Sequence, residues 1–368
     1  FYWICSNDWH PISNNNISNW TNYGIYFNNA DNGTIENNII TTDSDSSYGI
    51  FFASSSNLIT TNNTITTKAS SGWGLYIYSS PNSINTNNTI TINGDNGQGI
   101  RMISSSNLTN RNNMIITRGT DGYGMFFHYS SNSTNTNNSM STTNTNAYVI
   151  YLSSNSYNNL FQDNDITQSG SDAIRLAASS ENNNFTGNTF SNITGYDLNI
   201  IGAGIDGTYL IDQVITNYSI AGGGSIVYFK DSSFGEIKFL EAINGSGANL
   251  SADIKISNNS IYVNSSKSGL NKSAELIFYG IDSGYELVRK DGNICHQNIC
   301  NNFIKPYPAC FQETSTESSS CGGLSGGVYS CDGTWASSPC TNTYDEIWST
   351  YGQTSHSGTP GSKIGNLY

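Results

Sequence analysis

The chain has 368 residues, only 11% of which are charged, and Asp plus Glu outnumber Lys plus Arg by 27 to 14. The formal net charge of -13 argues against a nucleic-acid partner, because few cations are present to displace the counterions of a phosphate backbone. No apolar run approaches the ~18 residues of a membrane span. The hydrophobic share of 36% is sufficient for a folded core.

The sequence repeats itself every 25 residues. A glycine recurs at this spacing at positions 24, 49, 74, 99 and 124, and an asparagine pair recurs with it at 37, 62, 87, 112 and 137. The register then loosens by one residue, with matching segments at Asn164 and Asn188. Two markers that keep one period of this length indicate a solenoid of stacked coils.

The short run after each repeated glycine alternates between inward and outward residues, as a β-strand does. A second short strand is predicted in each repeat around Ile65, Ile90, Ile115, Met140, Ile166 and Phe190. The inward candidates of the first strand are Ile25, Phe27, Ile50, Phe52, Leu75, Ile77, Ile100, Met102, Met125, Phe127, Ile150, Leu152, Ile174, Leu176, Leu198 and Ile200. Strands this short need pairing with their copies in neighbouring coils.

These features predict an all-β chain whose main domain is a right-handed parallel β-helix of about seven coils, roughly 35 Å long. At one corner of each coil, an inward asparagine amide would satisfy the backbone and hydrogen-bond to its copy in the next coil. The first asparagine of each pair is expected to face solvent. We expect the ladder to comprise Asn38, Asn63, Asn88, Asn113, Asn138, Asn164 and Asn188.

We expect five parts in the chain. Residues 1–22 would be an N-terminal cap or partial coil, 23–204 the β-helix, and 205–243 an irregular last coil that covers the open edges. Residues 244–292 would form a small β-sandwich-like domain, and 293–368 a Cys-rich, disulfide-bonded region. The chain begins without a methionine and ends within a strand-like segment, so we expect a longer precursor.

Three stretches carry the repeat pattern most clearly: GIYF…NGTIENNII, GIFFASSSNLITTNNTI and AIRLAASSENNNFTGNTF. Over roughly residues 20–200 the pattern resembles the NosD/CASH-type (PbH1) repeats of parallel β-helix proteins, which are common in archaeal cell-surface proteins of S-layer-like and adhesin-like kinds. The resemblance implies a parallel β-helix and an extracellular or cell-surface location. It implies no single activity, because the same scaffold serves lyases, adhesins and surface layers.

Two shorter resemblances lie beyond the coils. The phrase GLNKSA at 269–274 is similar to one in the small β-sandwich segment that follows β-helices in some archaeal surface proteins. The stretch from Cys321 to Gln353, through Asn342, Asp345 and Trp348, resembles the start of a galactose-binding-like, discoidin-type module. Only its beginning is present, so no sugar site is assigned to it.

Cysteines and glycosylation sequons indicate an exported protein. Dense cysteines in a weakly charged chain favour an oxidising compartment, and a metal at Cys295, His296 and Cys300 is the weaker alternative. The disulfide candidates are Cys295, Cys300, Cys310, Cys321, Cys331 and Cys340, whose pairing the sequence leaves open, as it leaves open the state of Cys5. Candidate glycosylation sites are Asn16, Asn19, Asn32, Asn62, Asn87, Asn107, Asn132, Asn137, Asn184, Asn192, Asn217, Asn244, Asn249, Asn258, Asn264 and Asn271.

No catalytic cluster is recognisable. Hydrolases of the polygalacturonase type carry Asn-Thr-Asp, Asp-Asp, Gly-His-Gly and Arg-x-Lys motifs, and none of these occurs in the chain. The nearest approach to a cluster is Asp163, Asp165 and Asp172, with Arg175 as a possible partner. We interpret the three carboxylates as solvated turn residues, and we expect no enzyme activity, no metal and no cofactor, with Ca²⁺ as the open alternative.

Two columns of aromatic residues are predicted on the outer face of the first strand. They include Tyr26, Phe51, Tyr76, Phe126 and Tyr151 after the glycines, and Tyr48, Trp73 and Tyr123 before them. Stacking between coils would explain these rings, and the column before the glycines would then turn inward. Alternatively, the rings form an interface with copies of the same chain or a platform for a cell-surface polysaccharide.

Three functional hypotheses follow. The first is a self-assembling extracellular subunit of a surface layer, sheath or filament, whose partners are copies of itself. The second is a glycan-binding adhesin that uses the outward aromatic face. The third is a polysaccharide lyase or hydrolase with an unfamiliar site near Asp163, Asp165 and Arg175.

Overall fold

The structure is a computed structural model that describes residues 2–4, 11–202 and 205–280 and five short later strands. The chain divides into two compact units. The first comprises Phe1–Ser232, Lys238–Lys255 and Tyr262–Lys272, and the second comprises Ser233–Ile237, Ile256–Ile261 and Ser273–Tyr368. The first unit is built on a right-handed parallel β-helix of about eight turns, which confirms the predicted fold class.

Three sheets run along the β-helix, and we name them A, B and C. The strands of sheet A are Tyr2–Ile4, Tyr23–Asn28, Tyr48–Ala53, Trp73–Tyr78, Gln98–Ile103, Tyr123–His128, Ile150–Ser153, Ile174–Leu176, Leu198–Ile200, Tyr218–Ser225 and Ile243–Gly247. Those of sheet B in the first unit are Ile12–Ser13, Thr34–Glu36, Ile59–Thr61, Ile84–Thr86, Thr109–Arg111, Thr134–Thr136, Leu160–Gln162, Asn184–Thr186, Thr208–Ile211 and Val227–Asp231. Those of sheet C are Asn16–Trp20, Ile39–Thr42, Thr64–Thr67, Thr89–Ile92, Met114–Thr117, Ser139–Thr142, Asp165–Gln168 and Thr189–Phe190.

The core is one column of apolar side chains that the 25-residue register keeps aligned. Leu75 pairs with Ile50 on one side and Ile100 on the other, and neighbouring strands are parallel. Every inward residue predicted for sheet A is buried, with an exposed fraction of 2% or less. The inward residues of sheet C from Ile65 to Ile166 are buried as well, whereas Phe190 is half-buried in the edge strand.

Sheet B supplies a third strand per coil, which the sequence pattern does not reveal. Its inward positions hold Thr60, Asn85, Asn110 and Asn135 where an apolar residue would mark a strand. The Thr60 hydroxyl donates to Asn85 Oδ1, Asn85 Nδ2 to Asn110 Oδ1, and Asn110 Nδ2 to Asn135 Oδ1, each at 2.8 Å. Because the buried amides satisfy one another, the core tolerates a polar column without unpaired groups.

The asparagine ladder lies at the corner between sheets B and C. The seven predicted asparagines are at most 5% exposed, and each Nδ2 donates to the Oδ1 of the next at 2.9–3.1 Å. The same Oδ1 also accepts the backbone N–H of the preceding asparagine, as Asn88 Oδ1 does from Asn63 at 3.0 Å. Asn15 begins the column, and Gln213 ends it.

The first asparagine of each pair provides the left-handed backbone conformation of the turn. These residues are exposed and have φ between 53° and 57°, in the left-handed region, at positions 37, 62, 87, 112 and 137. Asparagine adopts this conformation more readily than most residues because its short amide can bond locally. The pair therefore combines a turn residue with a ladder residue.

The repeated glycine marks the place where sheet A passes closest to sheet C. A Cβ on Gly74 would lie 2.3 Å from Ile90 Cγ2 and 2.8 Å from the Gly99 carbonyl oxygen. Such separations are far inside van der Waals contact, so no side chain fits there. The 25-residue period of glycine is therefore a packing constraint between sheets.

Parallel stacking continues past residue 204. Leu198–Ile200 pairs with Tyr218–Ser225, and Thr208–Ile211 pairs with Val227–Asp231, all in parallel. The pairing then changes, because Ile243–Gly247 is antiparallel to its neighbour in sheet A. A single helical turn, Leu250–Asp253, follows, and its N-cap Asn249 accepts the Ala252 N–H at 2.9 Å.

The remaining strands are Gly235–Phe239, Ile254–Ser257, Ser260–Val263, Ala274–Phe278, Arg289–Lys290, Asn293–Ile294, Ser320–Cys321, Cys331–Asp332 and Lys363–Leu367. Three antiparallel pairs among them belong to the second unit: Ala274–Phe278 with Lys363–Leu367, Arg289–Lys290 with Asn293–Ile294, and Ser320–Cys321 with Cys331–Asp332. The predicted domain boundaries stay predictions.

Several predicted residues of the C-terminal region are outside the described part of the chain. They are Cys295, Cys300, Cys310, Cys340, Asn342, Asp345 and Trp348, and Cys5 near the start is outside it as well. Only the backbone of Cys321 and Cys331 is described, so the disulfides stay predictions. No helix in the described ranges is long and apolar enough to cross a membrane.

We expect Asn88→Ala to destabilise the β-helix by at least about 2 kcal/mol, because the backbone N–H and Nδ2 of Asn63 both lose their buried acceptor. Asn87→Gly is the matched control, since glycine adopts the left-handed conformation without strain and the side chain removed is exposed. The urea midpoint of unfolding measures both. Equal midpoints for the two variants would show that the ladder adds no stability.

We expect Gly74→Ala to destabilise the fold by about 1–3 kcal/mol through overpacking. Gly202→Ala is the control, because the nearest atom to its new Cβ is Ile205 Cδ1 at 3.5 Å, an ordinary contact. Thermal unfolding followed by circular dichroism compares the two. A melting temperature that falls equally in both variants would contradict the close-approach explanation.

Candidate functional site

The outer face of sheet A carries two adjacent columns that we call the aromatic strip. The residues after each glycine are Tyr26, Phe51, Tyr76, Arg101, Phe126, Tyr151 and Arg175, and those before it are Tyr23, Tyr48, Trp73, Gln98, Tyr123 and Tyr148. All the aromatic members are half-buried, so each ring packs on its neighbours and keeps an exposed edge or face.

Rings in the N-terminal half of the strip stack nearly face to face. The ring centroids of Tyr26 and Phe51 are 5.0 Å apart with planes 7° apart, and those of Phe51 and Tyr76 are 4.6 Å apart at 6°. In the other column, Tyr48 and Trp73 lie 4.5 Å apart at 2°. The spacing follows the distance between coils, because one ring comes from each coil.

Arg101 and Gln98 interrupt the rings at the middle of the strip. The Arg101 guanidinium lies 4.3 Å from the ring centroid of Trp73 and 5.0 Å from that of Phe126, and both contacts are cation–π interactions. Its Nη1 donates to Gln98 Oε1 at 3.0 Å. Burial lowers the pKa of Arg101 from its ordinary value, and the nearby Tyr76 opposes this shift.

The strip ends in a polar group formed by Asp172, Arg175 and Asn199. Arg175 lies 4.4 Å from the ring centroid of Tyr148, and its Nη1 is 3.1 Å from Asp172 Oδ2. The buried Asp172 also accepts Asn199 Nδ2 at 2.7 Å and the backbone N–H of Tyr196 at 3.1 Å. This carboxylate is fully engaged by its neighbours and holds Arg175 in place.

Of the three carboxylates suspected from the sequence, Asp163 and Asp165 do not lie beside Arg175. Asp163 is exposed at the corner between sheets B and C, and Asp165 is exposed in sheet C, whereas Arg175 projects from sheet A. Asp172 does contact Arg175 and is only 4% exposed, so the interpretation of this residue as a solvated turn residue is wrong. Among the residues with described side chains, no group of three or more His, Cys, Asp or Glu is arranged to hold a metal ion.

In the regular coils, aromatic residues at outward strand positions lie on this face, whereas farther along the chain sheet B carries the neighbouring rings of Tyr209 and Tyr228, with centroids 4.7 Å apart. Over residues 34–186, the outward positions of sheets B and C hold mainly Thr, Ser and aliphatic residues, and none holds an aromatic residue. The sequence predicts the aromatic columns but indicates no role for Arg101 and Gln98, the pair of residues that breaks them. The break is visible in the sequence as the two non-aromatic members in the middle of the columns.

The candidate glycosylation sites lie away from the strip. Asn32, Asn107 and Asn132 follow strands of sheet A at the corner toward sheet B, and Asn62, Asn87 and Asn137 lie at the corner between sheets B and C. These six are exposed, as are Asn16, Asn19, Asn192, Asn249, Asn258 and Asn271. The half-buried sites are Asn184, Asn217, Asn244 and Asn264. Glycans at the two corners would leave the aromatic face of the coils uncovered.

Comparisons with known proteins agree with the repeat type. A family model described as a right-handed beta helix region matches residues 4–157. A search of curated proteins returns no match.

Solved structures that resemble the chain include a hyperthermoactive exopolygalacturonase from Thermotoga maritima, with 15% identity, a TM-score of 0.44, and coverage of 61% of this chain and 57% of that one. The periplasmic alginate epimerase AlgG gives 15% identity, a TM-score of 0.35, and coverage of 56% and 57%. PfbA, a surface adhesin of Streptococcus pneumoniae, gives 11% identity, a TM-score of 0.31, and coverage of 61% and 70%.

The chain thus spans 57% of the first two of these proteins, and such low identities carry no inference about activity. Archaeal origin, the NosD/CASH type and the discoidin-like module stay predictions. The family match and the three parallel sheets together show that the repeats are those of a right-handed parallel β-helix.

We expect alkaline pH to destabilise the aromatic strip. Burial raises the pKa of Tyr48, Tyr76, Tyr123 and Tyr148 above the ordinary value of 10.0. Because the folded pKa exceeds the unfolded one, this contribution to stability is complete below about pH 10 and is lost as the pH rises through the folded pKa. Melting temperatures measured from about pH 8 to 11 should fall above pH 10, and less steeply in Tyr48→Phe/Tyr76→Phe. A melting temperature that falls equally steeply with pH in the wild-type protein and the variant would contradict tyrosine ionisation as the cause.

Proposed function

We propose that the protein is an extracellular glycan-binding protein of the adhesin type, which holds a polysaccharide chain along the aromatic strip. The observation that carries the proposal is that, over residues 34–186, half-exposed rings at outward strand positions lie on the outer face of sheet A and not on sheets B and C. No candidate glycosylation site lies on that face between residues 23 and 176. The sequons and the predicted disulfides support an extracellular location.

The dimensions of the strip suit an extended chain of sugars. From Tyr26 to Tyr151 the strip crosses five coil steps, about 24 Å, which accommodates several sugar rings. The apolar faces of sugar rings pack on aromatic rings, and the hydroxyl groups around their edges need hydrogen-bond partners. Tyrosine hydroxyls, such as those of Tyr76 and Tyr123, are neutral at pH 7 and can both donate and accept hydrogen bonds.

Stacking for stability alone does not account for the position of the rings. Cross-coil stacking would stabilise any of the three sheets, yet over residues 34–186 sheets B and C use mainly Thr, Ser and aliphatic residues at their outward positions. Exposed aromatic surface also has a cost in solubility, and contiguous patches of it usually mark interaction sites. Concentration on one face therefore favours a binding role in addition to a packing role.

Binding without cleavage agrees best with the chemistry of the strip. Glycoside hydrolysis generally uses two carboxyl groups on either side of the scissile bond. Asp172 is the acidic residue at the end of the strip, and three donors already occupy its oxygens. A lyase or hydrolase site at Asp163 and Asp165 finds no support, because these residues lie on other faces than Arg175.

Self-assembly into a surface layer, sheath or filament is the second candidate. The low share of charged residues, 11%, favours it, because side-by-side copies would meet little repulsion. The same strip would then be the contact between copies. Glycan binding and self-association therefore compete for one surface, and a soluble polysaccharide that binds the strip would reduce association.

The test is the affinity for a panel of soluble polysaccharides, measured by affinity electrophoresis and calorimetry. We expect Tyr76→Ala/Phe126→Ala to bind the best ligand about tenfold or more weakly, because two stacking platforms are lost. Tyr262→Ala is the control, since this tyrosine is 51% exposed and is outside the strip. Circular dichroism verifies that each variant folds.

Two results would contradict the proposal. One is a wild-type protein that binds no polysaccharide in the panel, and the other is a strip variant that binds as tightly as the control. Sedimentation velocity over a range of concentrations addresses the second candidate. Concentration-dependent polymers that the strip variant no longer forms would favour self-assembly over glycan binding.

A further inference from the structure

We infer that Arg101 is an anion subsite at the centre of the aromatic strip, so that the preferred glycan carries acidic groups, either carboxylates or sulfates. This inference rests on the proposed function and specifies its ligand class. It is drawn from the neighbours of Arg101, from its fixed position, and from its contrast with Arg175.

The positive charge of Arg101 is not balanced by a carboxylate. Among the described side chains, Arg101 takes no part in ion pairs such as Lys68 with Asp43, Arg175 with Asp172, and Lys267 with Asp253. The polar neighbours of Arg101 are the Gln98 amide and the hydroxyls of Tyr76, Tyr48 and Tyr123, all of them neutral groups at pH 7. A cation surrounded by aromatic rings and neutral groups is a favourable partner for an anion.

The aromatic rings fix the guanidinium in place. Arg101 is placed against the rings of Trp73 on one side and Phe126 on the other. Its Nε is buried without a hydrogen-bond partner, as is Nε1 of the adjacent Trp73. The side chain has therefore lost much of its hydration and has received no counter-charge in return. An anionic ligand would supply that charge, with little entropy lost because the guanidinium is already positioned.

Arg175 provides an internal comparison on the same column. It lies three coils from Arg101, about 14 Å along the axis. Its guanidinium also rests on a ring, that of Tyr148, but Asp172 neutralises it at 3.1 Å. The two arginines thus share geometry and differ in charge balance. The strip has one unbalanced positive charge, at Arg101.

The kind of anion that fits is limited by two facts: Arg101 is a single unbalanced cation on the strip, and the chain as a whole has a net charge of -13. A dense polyanion would be repelled by the protein as a whole, whereas a glycan with spaced acidic groups can place one of them at Arg101. Neighbouring sugar rings would then occupy the aromatic positions on either side. The expected ligand is a polysaccharide with a moderate density of carboxylate or sulfate groups.

The experiment compares matched neutral and acidic polysaccharides. One pair is partly de-esterified pectin and its fully methyl-esterified form, and the other is lightly sulfated dextran and dextran. We expect the wild-type protein to bind the acidic member of at least one pair about tenfold more tightly, and the preference to weaken as salt is added. The two pairs distinguish a carboxylate from a sulfate.

The variants separate charge recognition from stacking. Arg101→Gln should remove the preference, so that this variant binds the acidic and neutral members with affinities within about threefold of each other, whereas Arg101→Lys should retain part of the preference. Arg111→Gln is the matched control, because it removes the same charge from an exposed position on sheet B. Thermal unfolding verifies that each variant folds.

The possible failures are distinguishable. Equal affinity of the wild-type protein for acidic and neutral members, or a preference that survives in Arg101→Gln, overturns the anion subsite and leaves the glycan-binding proposal standing. The absence of binding to every polysaccharide overturns both. A preference that Arg111→Gln also abolishes would trace the effect to overall charge and overturn the role of Arg101.

Discussion

Backbone pairing between coils is the interaction on which the whole β-helix depends. Each strand has two to eight residues and no partner within its own coil. A strand of this length gains its hydrogen bonds only if its copy lies one coil away in the same register. The chain therefore repeats every 25 residues, and every other feature, including the glycine packing, the asparagine ladder and the aligned rings, follows from that register.

The sequence reveals the parts of this fold that repeat with apolar or special residues. Ile25 and Phe27 mark sheet A through their alternation, and the Gly24 series marks the close approach of the sheets. Sheet B escapes such reasoning because Asn85 and Asn110 stand where an apolar residue would identify an inward position. These asparagines can be buried because their amides hydrogen-bond to their copies in adjacent coils. The sequence of a single repeat does not show such bonds.

The candidate site, like the fold, is predictable from the sequence only in part. Column positions follow from the period, so Tyr76 and Phe126 could be placed on one face from sequence alone. The charge balance of the two arginines could not be predicted from the sequence. The pairing of Arg175 with Asp172 depends on how the turn before the strand places the Asp172 carboxylate against the strip. The same limit hid the difference between Arg175 and Arg101, which occupy equivalent positions in the repeat.

The asparagine ladder has a direction. In each Asn-to-Asn bond the Nδ2 donates to the Oδ1 on its C-terminal side, and the same Nδ2 also donates to backbone carbonyls, as Asn63 does to those of Ile35 and Thr61. The two ends of the column are therefore chemically unlike. Gln213 closes the C-terminal end by accepting from Asn188 Nδ2 and donating back to the Asn188 carbonyl. A longer β-helix of this kind would need its extra coils inserted before that residue, in whole repeats and in the same polarity.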